Sequence, residues 1–252
     1  MKNTAIIIGG SSGIGLGLAK VLAINNYNLI LVGRDKKKLN KAKNSFVNIE
    51  TYFYDLEIKS NLDLFKKKIL NHKGKITFVT NTLGSAFYGN FLKSNDAINN
   101  KIINSNINIF IDINKFFINY LLKHKTQSYI VCIGSLAGFV PNYNNLIYAC
   151  SKKFVEKFTY SLRENFKYTN VSISLVAPGK VKTNFLKKNK IKTDKSKSQN
   201  VDDLAEIIFK NVLLRKKLII PGFKNKIRYF VFKFFPDSII HRIYSFLEKY
   251  KN

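Results

Sequence analysis

Apolar positions along the chain fall into two alternating patterns. Short runs rich in Ile, Val and Leu occur at Thr4–Ile8, Asn28–Val32, Ile49–Tyr54, Ile76–Thr80, Tyr129–Ile133, Val171–Val176 and Lys217–Ile220. Unbroken apolar runs of this kind predict parallel strands covered on both faces. Between them, Leu16–Asn25, Leu62–Asn71, Asn104–Lys123 and Ala149–Phe166 carry the spacing of helices. Strand and helix in turn predict an α/β fold: one doubly wound domain over residues 1–220, with a mostly parallel sheet of about seven strands between helical layers. No internal repeat or inter-domain linker interrupts it. A polar, lysine-rich stretch, Lys187–Asn200, reads as a mobile surface loop or as part of a substrate lid.

Residues 221–252 break the pattern. Pro221-Gly222-Phe223-Lys224-Asn225-Lys226 opens a segment in which aromatics and bases interleave: Ile227–Phe235, a break at Pro236, then Asp237–Tyr250. Both halves read as amphipathic helices forming a C-terminal extension. Two uses fit: closure over a pocket or between subunits, or attachment to an anionic membrane surface with Lys and Arg snorkelling around Phe.

With 252 residues the chain can bury one substantial core. Its two cysteines, Cys132 and Cys150, make no disulfide framework and are expected as buried apolar thiols in a reducing compartment. His72, His124 and His241 have no metal-ligand spacing. Met1 runs straight into a strand and no apolar stretch reaches the ~20 residues of a membrane span, so a cytoplasmic protein, peripheral to the membrane at most, is expected. The net charge is +28, but the lysines are spread over every helix and loop. A solvated basic surface is favoured over a nucleic-acid site.

Candidate chemistry begins where the first strand ends. Gly9-Gly10-Ser11-Ser12-Gly13-Ile14-Gly15 joins it to a helix. Strand, glycine turn and helix N-terminus form an anion site, because the backbone can approach a pyrophosphate while free N–H groups face it. This is a Rossmann-type arrangement, although the glycine spacing is not that of the commonest fingerprint. Farther on, Tyr148 and Lys152 stand four residues apart on a predicted helix, on one face, with Ser135 upstream. A free phenol, with a pKa of about 10, is a poor acid–base group at neutral pH. A fixed cation beside it is expected to stabilise the phenolate and lower that pKa.

With the glycine turn, Ser135, Tyr148 and Lys152 in this order, the chain resembles the short-chain dehydrogenase/reductase family from about Lys2 to Ile220. Four further elements match: Asp55-Leu56 after the third strand, Asn81-Thr82-Leu83-Gly84 at the end of the fourth, Asn106, and Pro178-Gly179 with Val181 and Thr183 after the sixth. The tail looks like that of a bacterial subgroup. The resemblance implies that Ser135 polarises the substrate oxygen, Tyr148 exchanges its proton, Lys152 lowers the tyrosine pKa and holds the nicotinamide ribose, and Asn106 fixes a relay water. It also implies cofactor binding by Gly9, Ser11, Ser12, Gly13, Ile14, Gly15, Asp55, Leu56, Asn81, Gly84, Pro178, Gly179, Val181 and Thr183, and a homo-oligomer, dimer or tetramer. Thr82 and Leu83 depart from the family's Asn and Ala, and Leu83 adds bulk beside the cofactor path. Gly134 replaces a serine and Gly10 an alanine.

The cofactor type follows from charge. The second strand ends at Gly33-Arg34, where NAD-binding members carry an acid. Arg34 can fork onto a 2′-phosphate, so NADPH/NADP+ is favoured over NADH. Asp35 can pair with Arg34 or cap the next helix. The expected activity is interconversion of a carbonyl (ketone, aldehyde or 3-oxoacyl group) and an alcohol on a small-molecule substrate. The alternative is a nucleotide-sensing or nucleic-acid-binding protein that keeps the fold without turnover.

Overall fold

The apolar runs assemble into one sheet because each strand must bury both faces. The computed structural model describes residues 2–140, 143–189, 198–236, 238–240 and 242. The strands are β1 (Asn3–Ile8), β2 (Asn28–Gly33), β3 (Ile49–Phe53), β4 (Lys75–Asn81), β5 (Ser128–Ile133), β6 (Val171–Val176) and β7 (Leu218–Ile219). They lie in the order β3-β2-β1-β4-β5-β6-β7, and all neighbours pair in parallel. The helices are α1 (Gly13–Ile24), α2 (Lys36–Lys43), α3 (Lys59–Leu70), α4 (Asp96–Ile103), α5 (Ile109–Leu121), α6 (Leu146–Asn165), α7 (Asn184–Lys188), α8 (Val201–Leu213) and α9 (Phe223–Phe234).

The two-residue period of a strand sorts the core into two layers. Ala5 and Ile7 of β1, Leu29 and Leu31 of β2 and Phe78 of β4 share a core with Leu18 and Leu22 of α1 and Ile208 of α8. Ile6 and Ile8, Ile30 and Val32 point the other way, into a core with Phe65 of α3, Phe117 of α5 and Val155 of α6. Helices therefore cover both faces, while the edge strand β3 meets solvent through the exposed Glu50 and Phe53.

The strand order turns at β1 and β4, whose neighbours lie in opposite directions. Their carboxyl ends form the crevice at which such sheets bind ligands. The glycine turn leaves β1 there, and Asn81 closes β4.

Element boundaries move by a few residues from those expected. The strand at Ile49 ends at Phe53, and the last strand contracts to Leu218–Ile219. The expected helix Asn104–Lys123 is α5 preceded by a π-helical turn, Asn104–Asn108, which α4 feeds directly. The polar stretch expected from Lys187 starts inside α7, while residues 190–197 lie outside the described ones. In the tail, α9 starts at Phe223, four residues before the expected helix. Most of the second expected helix, Asp237–Tyr250, lies outside the described residues. Among the described residues no helix is long and apolar enough to cross a membrane.

Phe117 is fully buried, with its ring centroid 6.2 Å from that of Phe65. Phe117→Ala should lower stability by about 3–5 kcal/mol. Urea unfolding tests this: the midpoint should fall at constant slope, and an unchanged midpoint would show that the α3–α5 layer is not packed as described.

Candidate active site

Two close contacts build the catalytic end of the crevice. After β5, Ser135 adopts extended backbone and caps a 3-10 turn, Leu136–Phe139, with its Oγ accepting from Ala137 N at 3.1 Å. A Cβ on Gly138 would lie 2.7 Å from the Lys152 carbonyl carbon and 2.8 Å from Lys153 N, so this turn rests directly on the α6 backbone. Leu136 N donates to Pro178 O at 3.0 Å, tying the same turn to the loop after β6. As a result Ser135, Tyr148 and Lys152 come together.

Their electrostatics differ from the sequence expectation. Lys152 is buried, and its Nζ donates to Ile133 O at 3.0 Å and lies 5.7 Å from the Tyr148 ring centroid. Burial lowers its pKa to about 8, and the neighbouring Cys132 opposes that shift. Tyr148 is pushed above the ordinary phenol value by burial, while its hydrogen bond with Ser135 pulls the other way. The phenol therefore keeps its proton at neutral pH. A pKa lowered by the cation was expected, but desolvation by burial dominates at Tyr148. Cys132 is buried as expected and burial raises its thiol to about 12, whereas Cys150 is exposed, which corrects the expectation for that residue. Two positions beyond Tyr148 on a helix, it points away from the Tyr-Lys face.

Asn106 sits in the π-helical turn, a widened turn of the kind often found at functional sites. Its side chain is fully engaged by protein: Nδ2 donates to Ser85 O (3.0 Å) and Ser151 Oγ (2.9 Å), and Oδ1 accepts from Ser85 N (2.9 Å) and Ser105 Oγ (3.0 Å). It clamps the loop segment following Gly84 to α6. Ser85 and Ser151 gave no signal in the sequence because their partners lie far along the chain.

Several of the positions expected to bind cofactor gather at the β1–β4 end of the crevice. Gly13 opens α1 at φ 55°, and a Cβ there would meet Thr183 Cγ2 at 3.3 Å. Loop and helix N-terminus thus leave a narrow cradle, and the Ser12 side chain does not cap the helix. Beside it, an open groove is lined by Val32, Arg34, Asp55, Leu56, Leu83 and Gly84 among others. Leu83 forms part of its wall and packs partly against the core. Thr82 ties the two strand ends together, its Oγ1 donating to Ile8 O at 2.9 Å, and Leu83 N donates to the Asn81 side chain at 3.0 Å. Asp35 caps α2 through Lys38 N and pairs with Lys38 Nζ at 2.7 Å. Arg34 instead pairs with Asp55 (3.5 Å) and with Glu57 (3.2 Å), an acid that the sequence reading did not single out. A glycine-lined turn at a helix N-terminus, next to a groove with a basic residue, fits a dinucleotide phosphate.

Beside Tyr148 lies a small cleft whose lining mixes apolar and polar residues, among them Phe87, Phe91, Ser94, Asn99, Ile102 and Leu146. Phe185 of α7 lies over Tyr148, with ring centroids 5.9 Å apart.

The description "short chain dehydrogenase" belongs to the protein family whose profile matches residues 3–194. An uncharacterized oxidoreductase of Staphylococcus epidermidis is 30% identical, with 72% of this chain and 79% of the relative covered. Carbonyl reductase family member 4 of Xenopus laevis is 26% identical, covering 73% and 77%. A short-chain dehydrogenase from Sphingobium yanoikuyae, solved in complex with NADPH, superposes with a TM-score of 0.82 at 22% identity over 98% of this chain and 96% of its own. A short chain dehydrogenase/reductase from Burkholderia phymatum, solved with NAD, gives 0.79 at 18% identity over 87% and 88%.

The lowered Lys152 pKa has a testable sign. Below pH 8 the lysine is charged in both the folded and the unfolded chain, so the burial penalty is fully present. Between pH 8 and the unfolded value near 10.5 the folded state loses the proton first, and stability contributed at this site rises. Lys152→Met should therefore be more stable than wild type at pH 7, by a margin that shrinks towards pH 10. Denaturation midpoints at the two pH values decide it, and a margin independent of pH would contradict the assignment.

Proposed function

The chain belongs to the short-chain dehydrogenase/reductase family and is an NAD(P)-dependent oxidoreductase, and we propose that it reduces a carbonyl group on an apolar or acyl small molecule with NADPH. The observation that carries this reading is the Ser135-Tyr148-Lys152 cluster, with Lys152 buried and the phenol protonated, beside a small cleft that Tyr148 lines. The reduced nicotinamide, when bound, supplies the hydride. Ser135 donates a hydrogen bond to the carbonyl oxygen and orients it. Tyr148 gives its proton to that oxygen as negative charge develops there. A phenol held protonated at neutral pH is in the form this step needs. Lys152, mostly charged at pH 7, stabilises the phenolate left behind and, released from Ile133 O, can reach the ribose hydroxyls. Asn106 acts as a positioning residue through Ser85 and Ser151, and any water it holds must be bound by its backbone.

Support for NADPH comes from Arg34, half-exposed at the groove, with Asp35 turned away into a cap. Asp55 and Glu57 hold the guanidinium in place, and a 2′-phosphate would compete with them for it. The relative named as a carbonyl reductase fits the same direction.

Tyr148→Phe should abolish carbonyl reduction, by about a hundredfold or more, while NADPH affinity stays within a few fold of wild type. Single-turnover oxidation of bound NADPH with aldehydes, cyclic ketones and 3-oxoacyl thioesters measures both the substrate class and the effect. Near-wild-type turnover in the variant would sink the mechanism. Arg34→Ala should weaken NADPH at least tenfold and NADH little. Fluorescence titration with each cofactor checks this, and equal losses for both would remove Arg34 as the discriminator.

A further inference from the structure

Helix α9 presents two faces of opposite character. Asn225, Tyr229 and Phe232, spaced four and three residues apart, turn inwards. Asn225 is buried against Gly179, and its Nδ2 donates to Pro221 O at 2.8 Å and Gln199 Oε1 at 3.1 Å. The Tyr229 ring stands edge-on to Phe139, with centroids 5.0 Å apart. The helix is thus fastened to the loop after β6 and to the 3-10 turn that begins at Ser135.

The opposite face is apolar and, among the described residues, exposed. Phe223 is 77% exposed, Ile227 48%, Phe230 55%, Val231 38% and Phe234 71%. At 100° per residue these five fall within one arc of about 100°. Cations border it: Lys224 and Arg228 follow on one side, and Lys226 and Lys233 on the other. No Asp or Glu occurs from Phe223 to Phe234.

We propose that this face of α9 is a docking surface for an anionic lipid bilayer, on which the helix lies in the interface plane with its Phe stripe inserted. An apolar arc flanked by long cations is the pattern of interfacial helices: the rings enter the acyl boundary while ammonium and guanidinium groups reach lipid phosphates. A second copy of the chain fits the face less well. Two such helices packed together would oppose their cations with no acid on either helix to pair with them, whereas an anionic surface neutralises the same charges. The inward contacts place the bilayer beside the loop after β6, at the carboxyl edge of the sheet. The inference stands apart from the catalytic reading, since it uses none of the residues to which that reading assigns chemistry.

The chain contains no tryptophan, so Phe230→Trp introduces a single reporter. Its emission should shift to the blue with phosphatidylglycerol-containing vesicles at low salt and stay unshifted with pure phosphatidylcholine. In sedimentation with the same vesicles, Phe230→Ser/Phe234→Ser should bind at least tenfold more weakly than wild type while keeping its circular dichroism and its cofactor affinity. The substitutions leave every cation in place, so a loss reports insertion. Lys224→Gln and Arg228→Gln should each weaken binding about fivefold at low salt and less at high salt. Vesicle binding that survives the double serine variant would mean that the overall charge alone attracts the protein, and it overturns the proposal. Absence of wild-type binding at low salt does the same. So does a dimer that the serine variant dissolves while vesicles bind neither form.

Discussion

The 3-10 turn after β5 rests on the backbone of α6 with no space between them for a methyl group. The proposed catalytic cluster depends on that contact. Gly138 lets the turn approach Lys152 and Lys153 main-chain atoms. The approach sets Ser135 within hydrogen-bonding reach of Tyr148 and carries Lys152 Nζ to the end of β5. The same turn holds Pro178 through Leu136 and receives Tyr229 of α9 on Phe139. One close packing therefore couples the substrate side, the cofactor loop and the C-terminal helix.

Burial is what gives the assembled groups their chemistry. Desolvation moves Lys152 down to about 8 and Tyr148 up, so the site at rest holds a protonated phenol beside a weakened ammonium. In the proposed reduction, the raised Tyr148 value keeps on the phenol the proton that a substrate oxygen would receive, and Lys152, still mostly charged at pH 7, would stabilise the phenolate left behind. The Arg34 guanidinium, held by Asp55 and Glu57, keeps its place at the groove in the same economical way: partners fix its direction while solvent still reaches it.

The sheet was legible because a strand buried on both faces has to be continuously apolar, and all seven runs became strands. The glycine turn and the Tyr-Lys pair were legible because local spacing alone fixes their geometry. What escaped depends on distant partners. Nothing near Asn106 announces the π-helical turn or its bonds to Ser85 and Ser151. Glu57 follows a matched pair and looks like a surface acid until β2 and β3 bring Arg34 to it. The direction of the Tyr148 shift could not be read from a spacing, since it depends on how much water the fold removes. Cys150 was misplaced because its composition suggests burial, while the face of α6 already committed to Tyr148 and Lys152 turns it outwards. The tail was read as either closure or membrane contact. Its helix turns Asn225 and Tyr229 inwards and leaves the Phe stripe outwards, the face proposed above to meet a membrane.

The most direct test of this account is the rate of single-turnover hydride transfer in Gly138→Ala, measured on protein that retains native circular dichroism and NADPH affinity. The added methyl must push the Ser135 turn away from α6, and a displacement of about 1 Å at a reacting centre costs on the order of a hundredfold in rate. The account predicts a loss of that size with cofactor still bound. Hydride transfer at the wild-type rate would contradict it.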